Sequence, residues 1–186
     1  MAKALNMDIY HNCFHLAAYN IAWICSIYSA SKGHPWLGLI VAVSLTIIQM
    51  IWLIFFQQKT KHLITFILYL TLIGCIGDSL LVHYNYIIFV ANPLPFPLTA
   101  PFMIGIWINF SVTFYATLQS LITHPFILGI LSFFGFMIAY FFGASLGAAL
   151  LVQGMKSLII LSLAWGVVLP LSITLFNRFL PLENNK

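Results

Sequence analysis

Charge is what this chain has least of. Only 5% of its 186 residues are Asp, Glu, Lys or Arg, while 62% are hydrophobic and the mean hydropathy is +1.05. A soluble domain carries about 25% charged residues. This composition therefore excludes a chain that covers its core with a polar surface, and it points to a bilayer as solvent. The seven basic residues are scattered near the ends of apolar runs, which excludes the basic patch of a nucleic-acid binder. Cysteine is scarce too. Cys13, Cys25 and Cys75 lie in apolar segments without CxxC spacing and read as small buried hydrophobes. The apolar runs are continuous rather than alternating, which argues against an outer-membrane barrel. No cofactor or metal site is expected. His11 and His15 stand four apart around Cys13, a spacing able to hold a metal, but no second such pair exists. They read as the start of an amphipathic helix.

What is present is a series of apolar runs, each near the roughly 20 residues that span a bilayer. The sequence predicts an all-α, polytopic membrane helix bundle of about six transmembrane helices in a single domain. The expected spans are 9–30, 35–56, 63–84, 101–123, 125–152 and 157–177. His11, Asn12, His15 and Asn20 interrupt the first run, which favours an uncleaved helix over a signal peptide. Pro35 suits the first turn of the second helix, and Pro170 is expected to kink the sixth. The fifth exceeds one span and is expected to tilt or kink. The proline-rich connector 85–100 is too short and broken to cross, so it lies on the membrane surface or dips into it. Lys3, Lys59, Lys61, Arg178 and Lys186 fall on one side of this layout, and Lys32 and Lys156 on the other. That bias predicts both termini in the cytoplasm.

The acidic residues number three: Asp8 and Glu183 near the ends, and Asp78 inside the run "TLIGCIGDSLLVHY". An Asp near the centre of a bilayer costs about 3 kcal/mol on the insertion scale, so it has to be partnered or neutral. No Lys or Arg lies in any predicted span. Thr71, Gly74, Cys75, Asp78, Val82 and Asn85 share one small or polar stripe that should face other helices. The fourth helix offers a polar face through Asn109, Thr113, Thr117 and Ser120, and Asn109 or Thr113 is the expected partner of Asp78. Tyr19 and Asn20 add polar groups from the first helix. Asp78, Asn109, Thr113, Asn20 and Tyr19 are thus the candidate ligand-binding residues. An intramembrane ionisable residue is a site hypothesis by default, with a hydrogen-bonded packing core as its competitor. Gly74, Gly77, Ala139, Gly143 and Gly147 are the expected helix-packing positions, the last three at four-residue steps that let helices approach. Packing within the chain is one use of that stripe and a homo-oligomer contact the other.

The segments "NIAW", "GHPWLG", "GCIGDSLL", "PFMIGIWINFSVTF", "YFFGASLGA" and "LAWGVVLP" follow one another nearly end to end. In this order the chain resembles a bacterial multi-pass membrane family known as domain of unknown function number 2878. The resemblance implies an inner-membrane helix bundle, with Gly77, Asp78, Pro101, Trp107 and Gly143 as signature positions. It implies no reaction. Tyr115 and Ser120 stand where the family usually has Asn and Trp.

Three function classes follow. The first is a protein that binds or helps modify a membrane lipid, with Asp78 near the outer leaflet and the lipid entering laterally. The second is a small proton- or cation-coupled transporter or channel. The third is a non-catalytic structural or assembly protein. Scarce charge and the lack of an internal repeat weigh against transport. No catalytic pair accompanies Asp78, and membrane lipid is the expected partner.

Overall fold

The computed structural model describes residues 2–57 and 60–182, with side chains described from residue 9. Lys59 and Lys186 lie outside the described residues, as do Glu183 and the side chains of Lys3 and Asp8. The elements are α1 (Ala2–Ser31), α2 (Pro35–Trp52), α3 (Leu63–His83), β1 (Ile87–Phe89), α4 (Pro101–Thr117), α5 (Pro125–Ser145), β2 (Ala149–Leu151) and α6 (Met155–Phe179). A π turn, Leu53–Gln57, extends α2, and a 3-10 turn, Gln119–Thr123, follows α4. The fold is an all-α bundle.

α4 is the central post. It packs against α1, α2 and α3, whereas α5 packs on α6, and α6 meets α3. Thirteen of the 17 residues of α4 are buried, so it needs no lipid-facing stripe. The outer helices instead expose Ile40, Ile47, Leu68, Leu72, Ile138 and Leu171. An exposed apolar surface of that extent is stable against hydrocarbon, not water. Four segments, Pro35–Gln57, Leu63–His83, Pro125–Ser145 and Met155–Phe179, are long and apolar enough to cross a membrane. The chain is a membrane protein.

Small residues set the close approaches. A Cβ on Gly38 would lie 2.9 Å from the Ser26 backbone in α1, and one on Gly105 3.0 Å from Leu39 in α2. On α6, Pro170 has no N–H to offer the Gly166 carbonyl four residues earlier. That carbonyl faces Gly129, whose Cβ would come within 2.9 Å of it.

One end of the bundle departs from expectation. The fifth helix stops at Ser145, not 152, and the connector after α3 contains a strand. β1 and β2 pair antiparallel, Ile87 with Leu151 and Phe89 with Ala149. The physical cause is a shared helix stop. At α5 the Ala148 N–H donates to the Gly143 carbonyl and the Gly147 N–H to the Ala144 carbonyl, with Gly147 at φ +85°. This is a Schellman cap, which needs a left-handed residue. α1 ends the same way at Gly33 and α3 at Asn85. The two strands then tie the α3 side of the bundle to the α5–α6 pair. At the other end, the fourth helix gives way to its 3-10 turn before residue 123. The cysteines are also less buried than expected: Cys13 is exposed, and Cys25 and Cys75 are half-buried. A thiol faces hydrocarbon at little cost, so lipid takes the place of a protein core.

Candidate functional site

Asp78 lies five residues before the end of α3, about 8 Å below it at the helical rise. It is the one acidic side chain among the described residues, and it is fully buried. Its partners are not Asn109 and Thr113. The indole Nε1 of Trp107, on α4, donates to Oδ2 at 2.8 Å, and the Tyr140 hydroxyl, on α5, donates to Oδ1. The Trp165 Nε1, on α6, donates to the Tyr140 oxygen at 3.1 Å. One carboxyl group thus joins four helices through two indoles and a phenol. The correction has a steric origin. Trp107 and Tyr140 are long enough to bring an N–H and an O–H to Asp78, and both are buried. Asn109 and Thr113 are short side chains facing elsewhere.

Two glycines on α3 make room for the indoles. A Cβ on Gly74 would lie 2.1 Å from Cδ2 of Trp107, and one on Gly77 would run into the outer ring edge of Trp165.

 The nearest ring atom there is Cη2, at 2.6 Å, with Cζ2 at 2.8 Å. The rings themselves pack at 4.5 Å between centroids, and Phe136 stacks on both, at 5.5 Å from Trp107 and 5.2 Å from Trp165. Asp78 therefore sits behind an aromatic wall, with both oxygens engaged.

Asn109 and Thr113 belong to a second network, nearer the other end of the bundle. The Asn109 amide donates to Gln49 Oε1 at 2.7 Å and to Thr46 Oγ1 at 3.0 Å. The Gln49 amide donates to Thr113 Oγ1 at 3.0 Å and to the His15 carbonyl at 3.1 Å. These bonds lock α1, α2 and α4 together. His15 is fully buried on the inner face of α1. His11 accepts from the Trp52 indole at 2.9 Å.

The remaining candidates, Tyr19 and Asn20, line a cleft. α1 and α5 flank a cavity of about 480 Å³ whose walls include Tyr19, Asn20, Phe110, Phe136, Ala139 and Leu169. Exposed Leu131, Gly135, Ile138 and Phe142 form its rim on the side of the bundle. A narrower extension of about 40 Å³ shares Tyr19, Trp23, Phe110, Phe136 and Ala139, and runs on to Trp107 and Tyr140. The cleft thus ends on the groups that hold Asp78, without reaching Asp78 itself.

This cleft also corrects the expected role of the α5 stripe. A Cβ on Gly143 would meet only Ile27, at 3.6 Å, and one on Gly147 nothing within 4 Å. Gly147 serves the helix stop, and Ala139 and Gly143 line the cleft and its extension, where α1 reaches Gly143 only through Ile27. Spacing along the chain does not mark Tyr140, Gln49 or Trp165 as site residues. A signal did exist: two glycines three apart beside an intramembrane acid leave space that only large partners fill.

Comparison with curated proteins and with solved structures found no match. A family model does match, over residues 12–171. It spans Gly77, Asp78, Trp107 and Tyr140, and most of the cleft lining. The chain belongs to the family described as Protein of unknown function (DUF2878).

Proposed function

We propose that this protein binds the hydrocarbon chain of a membrane lipid in the lateral cleft between α1 and α5. The observation that carries the reading is an apolar cavity of about 480 Å³ with its rim on the lipid-facing side of the bundle. The α5 helix that carries its rim is long and apolar enough to span, so the medium at its mouth is hydrocarbon. A chain sliding in meets Leu118, Leu121, Leu128 and Phe136, an apolar lining that suits methylene groups. The Asp78 network closes the deep end and fixes the positions of Trp107 and Tyr140. In this reading Asp78 is a positioning residue. Both termini lie in the cytoplasm, on the basic-residue bias, which puts the β1–β2 end and Asp78 toward the outer leaflet.

The test is lipid extraction and mass spectrometry of the purified full chain, alongside Ala139→Phe, which fills the cleft wall. Wild type is expected to retain lipid at near-stoichiometric yield and the folded Ala139→Phe variant to lose most of it. Equal retention by both would place the bound lipid elsewhere and end this reading. A reporter fused after Lys186 that works only outside the cytoplasm would overturn the orientation.

A further inference from the structure

The lining of the cleft is apolar but not uniform. Tyr19 and Trp23, four residues apart on α1, face both the wide cavity and its narrow extension. Neither the Tyr19 hydroxyl nor the Trp23 indole N–H makes a hydrogen bond among the described residues. The other polar side chains on the wall of the wide cavity each spend a donor on a backbone carbonyl of their own helix. The Asn20 amide donates to the Leu16 carbonyl at 2.7 Å and the Ser132 hydroxyl to the Leu128 carbonyl at 2.6 Å. In the narrow extension, the Trp107 N–H and the Tyr140 hydroxyl are committed to Asp78. Tyrosine hydroxyls and indole N–H groups usually find partners when they are taken out of water. Tyr19 lies twelve residues from the end of α1, about 18 Å down the helix, where hydrocarbon offers no acceptor.

The two open donors therefore describe their ligand. It must bring an acceptor oxygen, and it must bring it on a long apolar chain. No Lys, Arg or His lines either part of the cleft. A phosphate or carboxylate at this depth would be a buried charge without a counter-charge, which is strongly unfavourable. We infer that the cleft selects an uncharged lipid whose alcohol or carbonyl oxygen is held by Tyr19 and Trp23. This rests on the lateral-cleft reading above and names the ligand class for it.

Three probes with the same sixteen-carbon chain separate the elements: hexadecane, hexadecan-1-ol and hexadecyl phosphate. Each is titrated into the detergent-solubilised full chain and counted as a one-to-one adduct by native mass spectrometry. Wild type should bind the alcohol more tightly than the alkane or the phosphate. Tyr19→Phe, which keeps the ring and removes the oxygen, should weaken the alcohol about fivefold, the weight of one neutral hydrogen bond, and leave the alkane unchanged. Trp23→Phe should act in the same direction, so a folding failure in one variant leaves the other to decide. Two outcomes would overturn the inference while leaving the cleft intact: alkane and alcohol binding equally in wild type and both variants, or phosphate binding as tightly as alcohol. Saturable one-to-one binding of none of the probes would remove the cleft reading and this inference together.

Discussion

Replacing Gly74 with Ala adds one methyl group at the point where α3 meets the Trp107 indole. The new carbon would lie 2.1 Å from Cδ2 and 2.5 Å from Cγ and Cε2 of that ring, so the ring must move. It is hemmed in by Trp165, Phe136 and Phe110. Overpacking of this kind costs about 1–3 kcal/mol. A displaced indole also loses its 2.8 Å bond to Asp78, about 1 kcal/mol more. Against these, Ala gains about 1 kcal/mol of helix propensity over Gly. The balance is a destabilisation of about 1–3 kcal/mol. At about 2–4 °C per kcal/mol for a chain of this size, the unfolding midpoint in detergent should fall by roughly 2–12 °C. Gly135→Ala is the matched control, because a Cβ there meets nothing within 4 Å. It gains the propensity without the clash, so its midpoint should stay or rise slightly. The comparison is read by thermal unfolding in one detergent, with near-ultraviolet circular dichroism reporting the indole environment. Equal midpoints for Gly74→Ala and wild type, with an unchanged indole signal, would show that Trp107 does not lie against α3.

Asp78→Asn should fold with a loss of about 1 kcal/mol, since its amide oxygen can still accept from Trp107 while its N–H2 group faces the Tyr140 oxygen; a loss as large as that of Asp78→Leu would contradict this arrangement. Asp78→Leu leaves the Trp107 N–H and the Tyr140 hydroxyl without an acceptor, at about 1–3 kcal/mol for each, and Tyr140→Phe added to it should recover part of the stability in a double-mutant cycle. Asn109→Leu should lower stability without altering lipid retention, because its network with Gln49 and Thr46 is separate from the cleft; lost retention in a folded variant would join the two sites. Gly147→Val should destabilise the helix stop, because a β-branched residue at φ +85° is strained, and the β1–β2 end should then exchange its amide hydrogens faster; unchanged exchange at Ile88 and Leu150 would refute the capping role.

Composition and hydropathy alone dictate the solvent and the class of fold. With so few charges, burying apolar surface in a bilayer was the only stable outcome, and Asp78 stood out because hydrocarbon makes an isolated acid conspicuous. The sequence also carried the helix stops, since Gly33, Asn85 and Gly147 are residues that tolerate a left-handed backbone; at Gly147 the four-residue spacing to Gly143 pointed instead to helix packing and hid the stop. Tertiary structure decided which polar groups meet. Spacing along α3 and α4 places Asp78, Asn109 and Thr113 on faces, but the direction and reach of each side chain settle the partner. Asp78 is met by Trp107 and Tyr140, long side chains admitted by Gly74 and Gly77, while Asn109 and Thr113 turn to Gln49 on α2. The cleft was hidden for a related reason. Ala139 and Gly143 form the same small-residue stripe whether a helix packs tightly on them or not, and in the fold α1 reaches that stripe only through Ile27 at Gly143, which leaves the cleft beside Ala139.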